Sequence, residues 1–163
     1  MVTETHTKEE ILALLQEIKD PEIPVLSIQD IGMLRDVHIT NNGYEVILTP
    51  TYTGCPAMGI IEADIKALLE TKGISPVKVS LIYSPAWTTD WMTEEAKLKM
   101  QRYGIAPPEH SSCGNIAIAE MHVPCPYCGS KHTELISRFG ATACKSLYKC
   151  EDCKEPFEYF KCH

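Results

Sequence analysis

Two C-x-x-C pairs near the C-terminus, Cys125/Cys128 and Cys150/Cys153, are separated by 21 residues. One tight C-x-x-C turn presents two thiolates to an ion, and two such turns complete a tetrahedral site. A segment as short as residues 122–163 builds little core alone, so a metal held there would contribute the folding free energy. The separation slightly exceeds the commonest range for such sites, and a short hairpin, 133–136 with 147–149, would fill it. Four thiolates leave no position for water, which points to a structural zinc ribbon and not a catalytic zinc. The same four cysteines also suit a rubredoxin-like iron or an iron–sulfur cluster. Disulfides are the remaining alternative.

The choice between thiolates and disulfides depends on compartment. The opening MVTETHTKEE has neither a basic start nor an apolar segment, and no apolar run approaches the roughly 20 residues of a membrane span. A cytoplasmic location without membrane contact is therefore expected, and clustered thiols in a reducing compartment read as metal ligands. The net charge is −7, and residues 122–163 hold six Lys/Arg against five Asp/Glu, so the negative balance lies upstream. Nucleic-acid binding needs a basic face, which this chain lacks, so a nucleic-acid-binding ribbon is disfavoured.

Upstream, Thr7 and Glu10 have capping-box spacing ahead of Ile11, Leu12, Leu14, Leu15 and Ile18 at helical period. Asp20-Pro21 ends that helix. PEIPVLSIQDIGMLRDV reads as a loop leading to a strand, and Asn41-Asn42-Gly43 as the turn of a hairpin ending at Leu48. A second helix is predicted from Pro56 to Lys72 with Ala57, Ile61, Ile65 and Leu68 in one stripe, then a strand at Val77, Val79 and Leu81. YSPAWTTDWM reads as a loop, and Thr93 caps a helix to about Gly104. The pattern predicts an α+β fold, with helices over a three-stranded sheet in residues 1–105, a linker at 106–121 and the ribbon at 122–163.

Within TPTYTGCPAMGI, Cys55 falls at a helix N-cap with Pro56 at the first helical position. Unpaired N–H groups and the helix dipole there predict a thiolate easier to form than in free cysteine. The opposing reading is a small buried residue at a turn. Asp20, Glu22 and Asp30 read most simply as turn and helix caps. Trp87 and Trp91 read as core or interface anchors, and the scattered histidines as surface residues. Cys113 and Cys144 read as buried hydrophobes, although Cys144, six positions before Cys150, could lie near the metal; Cys162-His163 has no assigned role. There is no Glu-x-x-His of the di-iron kind, no G-x-G-x-x-G and no P-loop, so binding or assembly is the stronger class than catalysis by this chain alone.

DPEIPVLSIQDIGMLRDV, TPTYTGCPAMGIIEADI and SPAWTTDWMTEEA resemble the small iron–sulfur-assembly domain of SufT-type proteins across about residues 8–105. ISRFGATACKSLYKCEDCKEPFEYFKCH, joined to it, resembles the tails of the PaaD family, whose members are subunits of phenylacetyl-CoA epoxidase systems. That resemblance implies an accessory or maturation subunit in aerobic phenylacetate degradation, aiding delivery of iron or an iron–sulfur cluster to the oxygenase or reductase. It also implies that Cys55 is the cluster-handling thiol, with Asp20 and Glu22 shaping its surroundings. A second chain, as in a homodimer, could supply further ligands. A structural or electron-relay component with iron on the four cysteines is the competing expectation. Ala141 stands where related tails often carry Ser, and the terminal His163 is a position expected to vary.

Overall fold

The computed structural model describes residues 6–109 and 121–161, and the chain divides into two compact units, residues 1–87 and 88–163. In the first unit, helix α1 (Lys8–Leu15) opens with the expected capping box between Thr7 and Glu10 and buries Ile11 and Leu15. Helix α2 (Ile28–Ile31), a single turn inside the segment expected to be loop, has a second capping box between Ser27 and Asp30. Four residues are too few to show a period, but the Ser-x-x-Asp spacing was available.

Strands β1 (Leu34–Thr40) and β2 (Gly43–Leu48) form the expected hairpin, with Val37 opposite Val46. Gly43 is required where it stands: its φ is +134°, and a Cβ would lie 2.3 Å from the carbonyl oxygen of Pro76. Helix α3 (Ala57–Thr71) crosses back to strand β3 (Val77–Leu81), which pairs in parallel with β2, giving the three-stranded order β1-β2-β3. Of the expected stripe, Ala57, Ile61 and Ile65 are buried, while Leu69 takes the inner place expected of Leu68. These residues form a core with Leu26, Ile28, Ile31, Met33, Val46 and Leu48. Trp87 is buried, and its indole N–H donates to the Ile31 carbonyl oxygen at 3.0 Å.

The other face of the sheet is polar. Lys8 pairs with Asp36, whose carboxyl is held below its usual value by that ammonium and by the Val37 N–H. Glu45 accepts from Ser80 Oγ at 2.5 Å and Lys78 Nζ at 2.9 Å, which likewise lowers its carboxyl.

The second unit begins earlier than the expected boundary at 105. After one 3-10 turn at Thr89–Trp91, helix α4 (Glu94–Arg102) is capped by Thr93 as expected and leads to strand β4 (Ile105–Ala106). Strand β4 pairs in parallel with β7 (Pro156–Phe160), so it belongs to the ribbon sheet. Strands β5 (Thr133–Ser137) and β6 (Lys145–Cys150) form the expected hairpin, and the full order is β4-β7-β6-β5. Ala106, Val123, Tyr148, Phe157 and Tyr159 cluster with Cys125 and Cys150 as its core. Tyr148 stacks on Phe157 at 5.8 Å and meets Tyr159 edge-on at 5.9 Å. The ribbon thus carries more core than its length suggested, because β7 and β4 widen the hairpin. Among the described residues no helix is long and apolar enough to cross a membrane.

Candidate functional site

The four knuckle cysteines come together. Their sulfur atoms all lie within 4.8 Å of one another, with Cys125 and Cys153 3.7 Å apart and Cys128 and Cys150 3.6 Å apart. Four sulfurs at about 2.3 Å from one tetrahedral ion stand about 3.8 Å apart, so the observed cross-knuckle separations fit a single ion. Each knuckle closes on a residue with positive φ at the same place, Gly129 (φ 75°) after Cys128 and Lys154 (φ 67°) after Cys153. In the first knuckle the Cys125 N–H donates to the Ser130 carbonyl oxygen at 2.9 Å; in the second the Cys150 N–H donates to that of Glu155 at 3.0 Å.

The electrostatics call for a cation. The N–H groups of Cys153 and Asp152 point at the Cys150 sulfur and, against its burial, lower that thiol to about 7. Cys153 accepts from the Glu155 N–H, yet burial and the neighbouring Cys150, Cys125 and Cys128 sulfurs push it up to about 12. The Cys150 thiolate forms readily while Cys128 and Cys153 resist ionising beside it, a conflict that a bound positive ion would relieve. Cys144 lies apart from this centre. It is buried at the far end of β6, about 20 Å along the strand, with its sulfur 3.0 Å from Thr142 Oγ1. Cys113, Cys162 and His163 fall outside the described residues, as does His110.

In the first unit, the loop after β2 places Cys55 one residue before the assigned N-cap of α3, Pro56, whose backbone is already helical (φ −69°, ψ −20°). Gly54 (φ +82°) makes the turn that brings the thiol there. The Cys55 N–H donates to the Tyr52 carbonyl oxygen at 3.3 Å, and the Met58 N–H to the Cys55 carbonyl oxygen at 3.3 Å. Asp20 is buried, and its Oδ1 accepts from the N–H groups of Glu22 at 2.7 Å and Ile23 at 2.9 Å. This is the turn-capping role that its sequence context suggested. Asp30 likewise serves as a helix cap.

The expected easy thiolate at Cys55 is corrected. Burial raises its pKa above the ordinary thiol value, and the nearby carboxylates of Glu22 and Asp20 raise it further; the Ala57 N–H and the Tyr52 side chain offset only part. The helix terminus does act, through Ala57, but desolvation wins because Cys55 is only 9% exposed. The loop 20–22 and the Cys55 turn are therefore neighbours in space. Tyr52 was missed, although it lies within the same loop and its hydroxyl was a visible donor. Ser130, His132 and Asp152, which surround the knuckles, were missed too, because no motif marks them.

With that geometry in view, the chain compares closely with known proteins. Residues 111–161 match the family model described as the PaaD zinc beta ribbon domain, and residues 8–81 match that described as an iron-sulfur cluster assembly protein. A relative from Escherichia coli (strain K12), provisionally named as one of the subunits of 1,2-phenylacetyl-CoA epoxidase, is 52% identical over 153 residues, covering 94% of this chain and 92% of that one. This chain belongs to the PaaD family. Its N-terminal part is also similar to an Fe-S protein maturation auxiliary factor of Porphyromonas gingivalis, at 38% identity over 58% of this chain and 91% of the relative. Among solved structures, a domain of unknown function (DUF59) from Bacillus anthracis matches with a TM-score of 0.53 and 29% identity, over 57% of this chain and 90% of its own. A conserved hypothetical protein from Thermotoga maritima matches with a TM-score of 0.51 and 29% identity, over 61% and 98%. The PaaD-family fold is thus an α+β assembly domain followed by a four-cysteine ribbon.

Proposed function

We propose that this chain is an accessory maturation subunit of a phenylacetyl-CoA epoxidase system: Cys55 transiently holds iron or an iron–sulfur cluster as cargo, and the ribbon holds zinc and docks a partner. The recipient is the oxygenase or the reductase of that system, in the cytoplasm. The observation that carries the reading is the convergence of Cys55, Asp20 and Glu22 at one turn of a fold whose relatives are named maturation factors. Two carboxylates beside a buried thiol disfavour a bare thiolate, but they favour a cationic metal centre that displaces the thiol proton. The site thus suits a metal cargo better than nucleophilic attack. Its single sulfur gives a loose grip, as transfer requires, and a second chain can complete the ligand set. In the ribbon, Cys125, Cys128, Cys150 and Cys153 would hold the ion; bound there, zinc supplies folding free energy and no reaction chemistry.

The test is Cys55→Ser in a reconstituted system. Folding and ribbon metal stay as in the wild type, while the metal or cluster content and the activity of the partner epoxidase fall; unchanged partner activity would sink the proposal. A second reading, an electron-relay component with iron on the four cysteines, rests on the tetrahedron of sulfurs, which suits iron as well as zinc. Elemental analysis of anaerobically purified protein separates them. About one zinc per chain without colour supports the first reading, and iron with a charge-transfer spectrum supports the second.

A further inference from the structure

The two knuckles are joined by a ring of polar groups that are not themselves metal ligands. Ser130 and His132 follow the first knuckle, and Asp152 lies inside the second. The Ser130 hydroxyl donates to Asp152 Oδ2, and Asp152 Oδ1 faces His132 Nδ1 at 3.4 Å. Ser130 Oγ in turn accepts from the His132 N–H at 3.0 Å. The backbone closes the ring: the Glu151 N–H donates to the His132 carbonyl oxygen at 2.8 Å, and the Cys125 N–H to that of Ser130 at 2.9 Å. The β5–β6 ladder ends at the Thr133–Cys150 pair, so this ring extends the cross-link past the last strand residues to the knuckle tips.

We propose that Ser130, His132 and Asp152 are positioning residues that clasp the two halves of the four-cysteine site and thereby set how slowly a bound ion leaves. The proposal rests on the metal-holding reading of those cysteines. Within a knuckle, the two sulfurs are tied by the turn itself. Between knuckles beyond the ladder end, this ring supplies the tie among the described residues, and a bound ion would add a second. An ion leaves a tetrathiolate in steps, one knuckle swinging away before the other. A ring that keeps the freed knuckle in place returns its sulfurs to the ion before a competing ligand arrives. Hydrogen bonds to a carboxylate are stronger than neutral ones, so the Ser130–Asp152 bond dominates the ring.

The test uses the full chain loaded with one zinc ion and measures release into excess chelator at fixed pH. Ser130→Ala and Asp152→Ala should each release zinc at least about ten-fold faster than the wild type, the rate change that follows from losing one charge-assisted bond. The double variant should be little faster than Asp152→Ala alone, since both remove the same bond. Lys131→Ala, between the two clasp residues in sequence and exposed, should release at the wild-type rate. An electrostatic role alone would also speed release from Asp152→Ala, because a negative charge beside the site holds a cation, but it leaves Ser130→Ala at the wild-type rate, since the hydroxyl carries no charge. Wild-type or slower release from either variant overturns the clasp. Stoichiometric zinc at the start certifies that each variant has folded. Should the wild type take up no zinc, the metal-holding reading fails, and the clasp is judged on the reduced, metal-free chain. There, faster modification of the knuckle thiols in both variants by a thiol reagent upholds it, and equal rates overturn it.

Discussion

Replacing Asp20 separates the two roles that meet in its carboxylate. Its Oδ1 accepts the N–H groups of Glu22 at 2.7 Å and Ile23 at 2.9 Å, and Ile23 is almost wholly buried. Asp20→Ala leaves both donors without this acceptor, and the Ile23 N–H has little access to water. A hydrogen bond to a charged group contributes ~1.5–3 kcal/mol, and the Glu22 side of the turn is partly wet, so a loss of about 2–3 kcal/mol is expected. At a urea slope of roughly 1–3 kcal/mol/M, the midpoint of the first unit falls by about 1 M or more. Asp20→Asn keeps a carbonyl oxygen at the same place and should cost less than about 1 kcal/mol. The same Asn removes a negative charge from beside Cys55, so the thiol should titrate lower than in the wild type. The assay is urea unfolding followed by Trp87 fluorescence in a Trp91→Phe background, since Trp87 is buried in the first unit. It is paired with the pH dependence of Cys55 alkylation, resolved by mass spectrometry. If Asn costs as much as Ala, the acceptor oxygen is not what holds the loop; if Asn leaves the Cys55 titration in place, the carboxylate does not act on the thiol.

The remaining predictions concern pH and backbone. The folded pKa of Cys55 is raised, so above the ordinary value of 9.0 the native state binds more protons than the unfolded one. Stability of the first unit is therefore unaffected by this group below that value and falls as pH rises past it. Cys55→Ala should flatten that alkaline decline in the Trp87 signal, and an unchanged slope would contradict the assignment. Lys154 holds a positive φ of 67° at the place where the first knuckle uses glycine. Lys154→Gly should therefore stabilise the zinc-loaded ribbon by about 0.5–1 kcal/mol in thermal unfolding, and a loss of stability would show that the backbone there is not strained.

Much of this architecture is legible from residue order, and the exceptions have physical causes. The capping box at Thr7, the Asn-Asn-Gly hairpin turn and the α3 stripe are local signals, and each appears where local chemistry puts it. Strand β4 has two residues and β7 five, too short for periodicity to speak, and β4 exists because β7 offers it an edge. The four-cysteine centre is equally local, since each knuckle is one turn and the hairpin between them closes the pair. The surroundings of Cys55 are not. Helix-terminus chemistry alone gives the wrong sign for its pKa, because burial and the approach of Asp20 and Glu22 from more than thirty positions away depend on the packed core. Only the family resemblance links those three residues before the fold is known.

The two residues of β4 also have a bearing on how such chains are cut and expressed. The family boundary for the ribbon begins at residue 111, after β4 has already paired with the outer side of β7. A fragment started there loses Ala106 from the core and uncovers a row of unpaired N–H and C=O groups along Phe157 and Tyr159. An uncovered apolar edge of that kind templates strand addition between copies. Fragments beginning before α4 should remain monodisperse, whereas those beginning at the motif should precipitate even when fully loaded with metal.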